Sequence, residues 1–209
     1  MAYYLPDVPD DNTRREKGIN IFPVLSLDSY TAVVVVAGQY FFYFMIYSFF
    51  GWVLEGLYNL YSQGSFRKEG FLKGPFKPMY GFAPLLLLAV QMLELPLPLF
   101  LGLTLIIPSA VEYASGWLLK TVFHKQWWDY SAMPYQLHGH ICLKFSLYWW
   151  VLATACIYLL QPLMELVYLL LEPIWVLGMP LIIMLFSADL LWTCWSRRRT
   201  LRRLELGEG

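Results

Sequence analysis

Glu55, Glu112 and Asp189 each stand inside a long apolar stretch. A carboxylate at membrane depth costs roughly 2.5 to 3.5 kcal/mol on insertion scales, so such residues face a bundle interior, a partner or a water-filled cavity. Turned by 100° per residue, Ser48, Gly51, Glu55, Asn59 and Ser62 fall within an arc of roughly 80°. Ser109, Glu112, Gly116 and Lys120 do the same, and Asp189, Thr193 and Ser196 share a face. Each stripe pairs a carboxylate with small and polar residues, which let helices approach and bond across the contact. Helix–helix adhesion accounts for such stripes without chemistry. A ligand site is the sharper reading.

Two connecting segments carry the remaining polar chemistry. Gly70-Phe-Leu-Lys-Gly-Pro-Phe-Lys-Pro-Met-Tyr-Gly81 has three glycines and two prolines in twelve residues, which imposes a non-helical path. It is expected to fold back on the helix ends, where Lys73 or Lys77 meets Glu55 or an anionic ligand and Tyr80 lies close by. The second segment holds Gln126-Trp-Trp-Asp-Tyr130 and Leu137-His-Gly-His-Ile-Cys142. Trp128, Asp129, His138 and His140 join the candidate ligand-binding set, with Lys144 just beyond. His138, His140 and Asp129 are weak metal candidates, because the HxH spacing is nonspecific, and no cofactor is expected. Cys142, Cys156 and Cys194 form no CxxC pair and read as small buried apolar residues. No GxSxG or GxxxxGK[ST] run occurs, so neither that hydrolase elbow nor a P-loop resides in this chain.

The elements that must position these groups follow from composition. The chain has 209 residues, 58% hydrophobic and 14% charged, with mean hydropathy +0.50. A soluble domain carries about 25% charged residues, so the expectation is an all-α, polytopic membrane bundle. A span needs about 20 mostly apolar residues. Five candidates run over 32–61, 79–95, 97–123 (kinked at Pro108), 141–160 and 174–195, with 162–172 either interfacial or an extension of the fourth. The domain reading is an N-terminal tail 1–31, tail or interfacial piece, without a cleavable signal peptide, a transmembrane domain 32–196, and a basic tail 197–209. Twelve of the fifteen Lys and Arg lie in or around the loops that follow the first and third candidates and in the tail after the fifth, at Arg67–Lys77, Lys120–Lys144 and Arg197–Arg203. The positive-inside rule then places the N-terminus outside and the C-terminus in the cytoplasm. Trp and Tyr near helix ends fit interfacial belts. No internal repeat is evident. The formal net charge is zero and favours no nucleic-acid partner.

Several runs are similar to one family. Phe44-Met-Ile-Tyr-Ser-Phe-Phe-Gly-Trp-Val-Leu-Glu55, the 70–81 segment, Glu112-Tyr-Ala-Ser-Gly-Trp117, Trp127-Trp-Asp-Tyr130 and His138-Gly-His-Ile-Cys-Leu143 resemble the type IV ABC-transporter permease family of small multi-pass bacterial membrane proteins. Where that family's pattern suggests Asn-Gly-Arg-Ile-Cys-Leu, this chain has His138 and His140, so Lys144 or protonated His140 would replace the arginine. The resemblance implies a plasma (inner) membrane, multi-pass, permease-like subunit. Membrane lipid is one expected partner, and so small a five-helix unit suggests a homodimer or a second transporter subunit, including a separate ATPase.

The leading expectation is a protein that binds or moves a small solute or lipid-like molecule through an acidic site in the cytoplasmic half. Glu55 and Glu112 form that site under the two connecting segments, with Asp189 at similar depth. Such a site suits proton-coupled release or a cationic ligand. One alternative is an intramembrane enzyme acting on a lipid or isoprenoid-like substrate, with Glu55 or Glu112 as general base. The other is a membrane scaffold whose Arg197–Arg203 tail binds anionic lipid or an acidic partner.

Overall fold

The computed structural model describes residues 29–67 and 69–205. Most of the expected N-terminal tail 1–31, together with Lys68 and 206–209, lies outside the described residues. The chain divides into units 1–37 and 38–209. Of the first, only the helical stretch 29–37 is described. The second holds every candidate residue.

The fold is all-α apart from one small hairpin. α1 is Ser29–Gln63, α2 Pro78–Gln91 and α3 Leu97–Phe123. The hairpin pairs β1 (Gln136–Leu137) with antiparallel β2 (Ile141–Cys142). α4 (Leu143–Ala155) passes through a π-helical turn, Cys156–Leu160, into α5 (Gln161–Glu205). Each boundary has a local cause. α1 stops at Gly64, which takes φ +70° while its N–H still bonds Leu60 O, a left-handed stop that glycine adopts freely. α2 starts with Pro78 in its first turn, where the missing N–H leaves nothing unbonded. The expected second span ends early: Met92, Leu93 and Glu94 form turns, and Pro96 keeps Leu95 from helical geometry. α3 has the expected bounds. The π turn inserts one extra residue per turn where Cys156 and Ile157 enter the core.

Three helices among the described residues are long and apolar enough to cross a membrane: Val33–Gln63, Leu97–Phe123 and Leu143–Arg203, with Pro78–Gln91 a shorter apolar helix. The 162–172 stretch is helical, as an extension of α4 rather than a separate interfacial piece. The third run is not one straight rod. Along it, Gln161 bonds Tyr47, Tyr168 packs on Phe42 and Tyr43, and Trp175 donates to Gly38 O. The partner numbers on α1 thus fall as α5 advances. They then rise: Met179 faces Gly38, Phe186 packs on Phe44, and Asp189 reaches Gly74 beyond α1. A straight helix from Gln161 to Phe186 would be about 37 Å long, whereas Phe44 and Tyr47 lie about 4.5 Å apart along α1. The path therefore turns back near Pro173 and Pro180, the two prolines inside α5, where the lost hydrogen bonds permit a sharp bend.

The core gathers Phe42, Tyr43, Tyr47, Leu87, Phe100, Ile157 and Tyr168. Close approach depends on two glycines, Gly51 on the predicted stripe and Gly81 at the end of the first connecting segment. A Cβ at Gly51 would collide with the Tyr80 ring of α2, and one at Gly81 with Phe44 and Ser48 of α1. Ser48, Glu112 and Thr193 are buried, so the inner part of each polar stripe faces protein.

Candidate functional site

The first connecting segment returns to α1 as expected. Lys77 N–H donates to Ser48 O at 3.0 Å, and its Nζ meets Glu55 Oε2 at 2.6 Å. This ion pair is mostly buried, with side-chain exposures of 15% for Lys77 and 21% for Glu55. Tyr80, one turn into α2, interacts with Glu55 as well. The rest of the segment is tied to α5. Gly74 N–H donates to Asp189 at 3.0 Å, and Arg197 donates to Glu69 at 2.7 Å. Lys125 reaches the other Glu69 oxygen at 2.7 Å. Those two cations hold the Glu69 carboxyl below the usual carboxylate range.

The second segment builds the surroundings of Glu112. Leu137-His138-Gly139-His140 is a tight hairpin turn in which His140 N–H donates to Leu137 O at 3.0 Å. Both central residues have positive φ, +53° at His138 and +73° at Gly139, the type I′ pattern that favours Asn-Gly. A Cβ at Gly139 would also stand 2.6 Å from Asp129 Oδ1. His140 then packs over Gly116 of α3, where a Cβ would come within 2.9 Å of His140 Nδ1. Trp128 Nε1 locks the turn by donating to His140 O at 2.9 Å. With the hairpin seated, Tyr130 donates to Glu112 Oε1 and Trp149 of α4 to Oε2, each at 2.9 Å. Burial, then the adjacent Glu112, pushes the Tyr130 hydroxyl up, so it stays a donor. Burial also lowers the His140 imidazole, with Lys120 and His138 adding to the effect.

The structure thus brings Glu55, Lys77, Tyr80 and Glu112 together; Tyr80 lies within electrostatic reach of both carboxylates. It separates others from them. Asp189 serves Gly74 and Thr193. Asn59 bonds the carbonyl of Ser65, and Lys73 lies over Trp192. Lys144 lies over Tyr148, burial shifts His140 toward its neutral form, and among the described residues neither forms an ion pair with a carboxylate. His138 accepts or donates to Tyr113 at 2.9 Å, and Asp129 caps Ser131, which lowers its carboxyl. Among the described residues, no group of three or more His, Cys, Asp or Glu is arranged to hold a metal ion. Trp149 is not among the residues that the sequence singles out, because an interfacial belt accounts for its indole. The signal that could find it is the need of a buried carboxylate for donors.

Two cavities flank this cluster. One, of about 380 Å³, is almost wholly apolar and is lined by α1 to α4 and the π turn; Tyr80 and Trp149, with ring centroids 5.0 Å apart, both line it, as do Pro84 and Pro108. The second, about 250 Å³, contains the Glu55–Lys77 pair together with Phe71, Trp127, Trp128 and Phe186. Met79 lines both.

Long apolar helices closed around an internal ion pair and a buried carboxylate define a helical membrane protein. The chain belongs to the family described as "Putative ABC-transporter type IV", whose model matches residues 42–194 and so includes every candidate residue above. It is a membrane transport-related protein on that basis. No curated protein and no solved structure matches it significantly.

Proposed function

We propose that this chain is a permease-like subunit of the plasma (inner) membrane that binds or moves a small, lipid-like molecule. Glu55 and Glu112 form the polar end of its site. The observation that carries this reading is the 380 Å³ apolar cavity lined in part by Tyr80 and Trp149, which interact with Glu55 and Glu112 respectively. A mostly apolar pocket with a few convergent polar groups is the usual form of a small-molecule site. Its size falls within the range of about 300 to 1,000 Å³ for such pockets.

The membrane path that accompanies this proposal has five crossings, with the N-terminus outside and the C-terminus in the cytoplasm. The reversal of α5 near Pro173 and Pro180 supports two crossings within Leu143–Arg203, and the Lys/Arg distribution supports the orientation. The chain carries no ATPase motif, so ATP-driven movement would use a separate subunit. A second copy of the chain is the other partner consistent with so small a bundle.

Native mass spectrometry with lipidomics on gently purified protein tests the site. The expected result is a stoichiometric bound molecule that is lost in Leu54→Trp, which narrows the cavity, and weakened in Glu55→Gln and Glu112→Gln. A bound molecule retained at full occupancy in all three variants would overturn the proposal.

A further inference from the structure

The cytoplasm-assigned end of α5 carries a cluster that the site above does not use. Trp192 and Trp195 are 56% and 54% exposed, with ring centroids 5.5 Å apart. Each indole has a cation over its face. Lys73, from the segment between α1 and α2, stands 5.4 Å from the Trp192 centroid. Arg199, one turn further along α5, stands 5.3 Å from that of Trp195. Lys73 and Trp192 are distant in sequence, so the fold itself assembles the group. Asp189 nearby is engaged by Gly74 N–H and Thr193. Among the described residues, the ion pairs are Lys77–Glu55, Lys125–Glu69 and Arg197–Glu69. Among the described residues neither Lys73 nor Arg199 pairs with a carboxylate, and Arg198, Arg202 and Arg203 add to the same end of the helix.

We infer that Lys73, Trp192, Trp195 and Arg199 form a binding site for one anionic phospholipid. The chemistry is complementary at two levels. Exposed indoles settle at the headgroup level of a bilayer, where their apolar faces meet acyl chain and their N–H groups meet water. Two unpaired cations beside them attract a phosphodiester, at about 1 kcal/mol per cation near an anionic surface. Ring contact biases each cation toward the indole pair, at about 0.5 to 1 kcal/mol for an exposed site. Arg202 and Arg203, further along α5 and with no ring contact among the described residues, contribute only diffuse charge.

The test uses the full chain in nanodiscs of mixed phosphatidylcholine and phosphatidylglycerol, released into the gas phase for native mass spectrometry. One retained phosphatidylglycerol per chain is expected. Lys73→Gln with Arg199→Gln should lower its retention on the order of tenfold or more. Arg202→Gln with Arg203→Gln, the same change in charge, should leave it within about twofold of the parent. Trp192→Leu with Trp195→Leu should reduce retention while the charge is unchanged. Equal losses in the two charge pairs, or retention that survives Lys73→Gln/Arg199→Gln, would overturn the site.

Discussion

Glu55 and Glu112 solve the same problem by opposite means. Glu55, on α1, is met by the ammonium of Lys77 at 2.6 Å, delivered by a proline- and glycine-rich segment that also ties down to α5. Glu112, on α3, is 2% exposed and receives two neutral donors at 2.9 Å, Tyr130 and Trp149. Among the described residues no Lys or Arg pairs with it. The first arrangement cancels charge with charge, with Tyr80 as a further partner of Glu55, so it is sensitive to either member of the ion pair. The second spreads the carboxylate over fixed dipoles held by a hairpin and a helix, and leaves the group without a counter-ion. A site that must accept a ligand or a proton has more freedom at the second carboxylate than at the first, because nothing has to be displaced except neutral hydrogen bonds.

The largest expected effect comes from removing the acceptor at the neutral site. Glu112→Leu strands the Trp149 N–H and the Tyr130 hydroxyl together, at about 1 to 3 kcal/mol for each buried donor left unpaired. Unfolding in detergent should show a loss of about 4 kcal/mol, and Glu112→Gln, which keeps one acceptor oxygen, should lose less than half of that. Equal losses in the two variants would mean that the carboxylate is held by its charge, and the contrast with Glu55 would collapse.

The charged site should behave differently in a double-mutant cycle. Lys77→Met alone removes the ammonium that meets the mostly buried Glu55 at 2.6 Å, at about 2 to 3 kcal/mol after allowing for its partial exposure. Adding Glu55→Leu should recover most of that loss, because the pair is then replaced by apolar groups of similar reach. Recovery specific to Glu55 sharpens the comparison. Additive losses in the double variant would break it, by showing that Lys77 and Glu55 act on stability separately.

How far the sequence reaches follows the same division. The Glu55–Lys77 meeting is legible, because a segment too rich in Gly, Pro and aromatic residues to be a solvated linker has to fold back onto helix ends that hold a carboxylate. The buried faces of the stripes are legible from helical spacing. The donors of Glu112 are not, since Trp149 lies on a different helix and the register between α3 and α4 is set by packing rather than by periodicity. His138 and His140 mislead for an instructive reason. Their residue types suggest ligands, yet the chain uses His138 at a left-handed turn position, where histidine is one of the more tolerated non-glycine residues. The bend within α5 is half legible: Pro173 marks the end of an element, but the helical hydrogen bonding that continues on both sides of it depends on the reversal against α1.

Acidification separates the two connecting segments with the smallest expected effect. His140 in the second segment has its imidazole lowered from the ordinary 6.5 by burial. Well above that value neither folded nor unfolded chain is protonated there, and the residue contributes nothing pH-dependent. As pH falls through 6.5, the unfolded segment takes a proton that the folded one resists, so folded stability declines. Glu69 in the first segment is lowered from 4.5 by Lys125 and Arg197. Its contribution is present above 4.5 and is lost only as pH falls through the lowered folded value. Amide-exchange protection factors for residues 126–142 should therefore drop between about pH 7 and pH 5.5, while those for 69–76 hold. His140→Gln should abolish that drop, so that protection of 126–142 stays constant across the range. Simultaneous loosening of both segments would place the pH response in a group common to them, and the carboxylate cluster between them would become the element to mutate next.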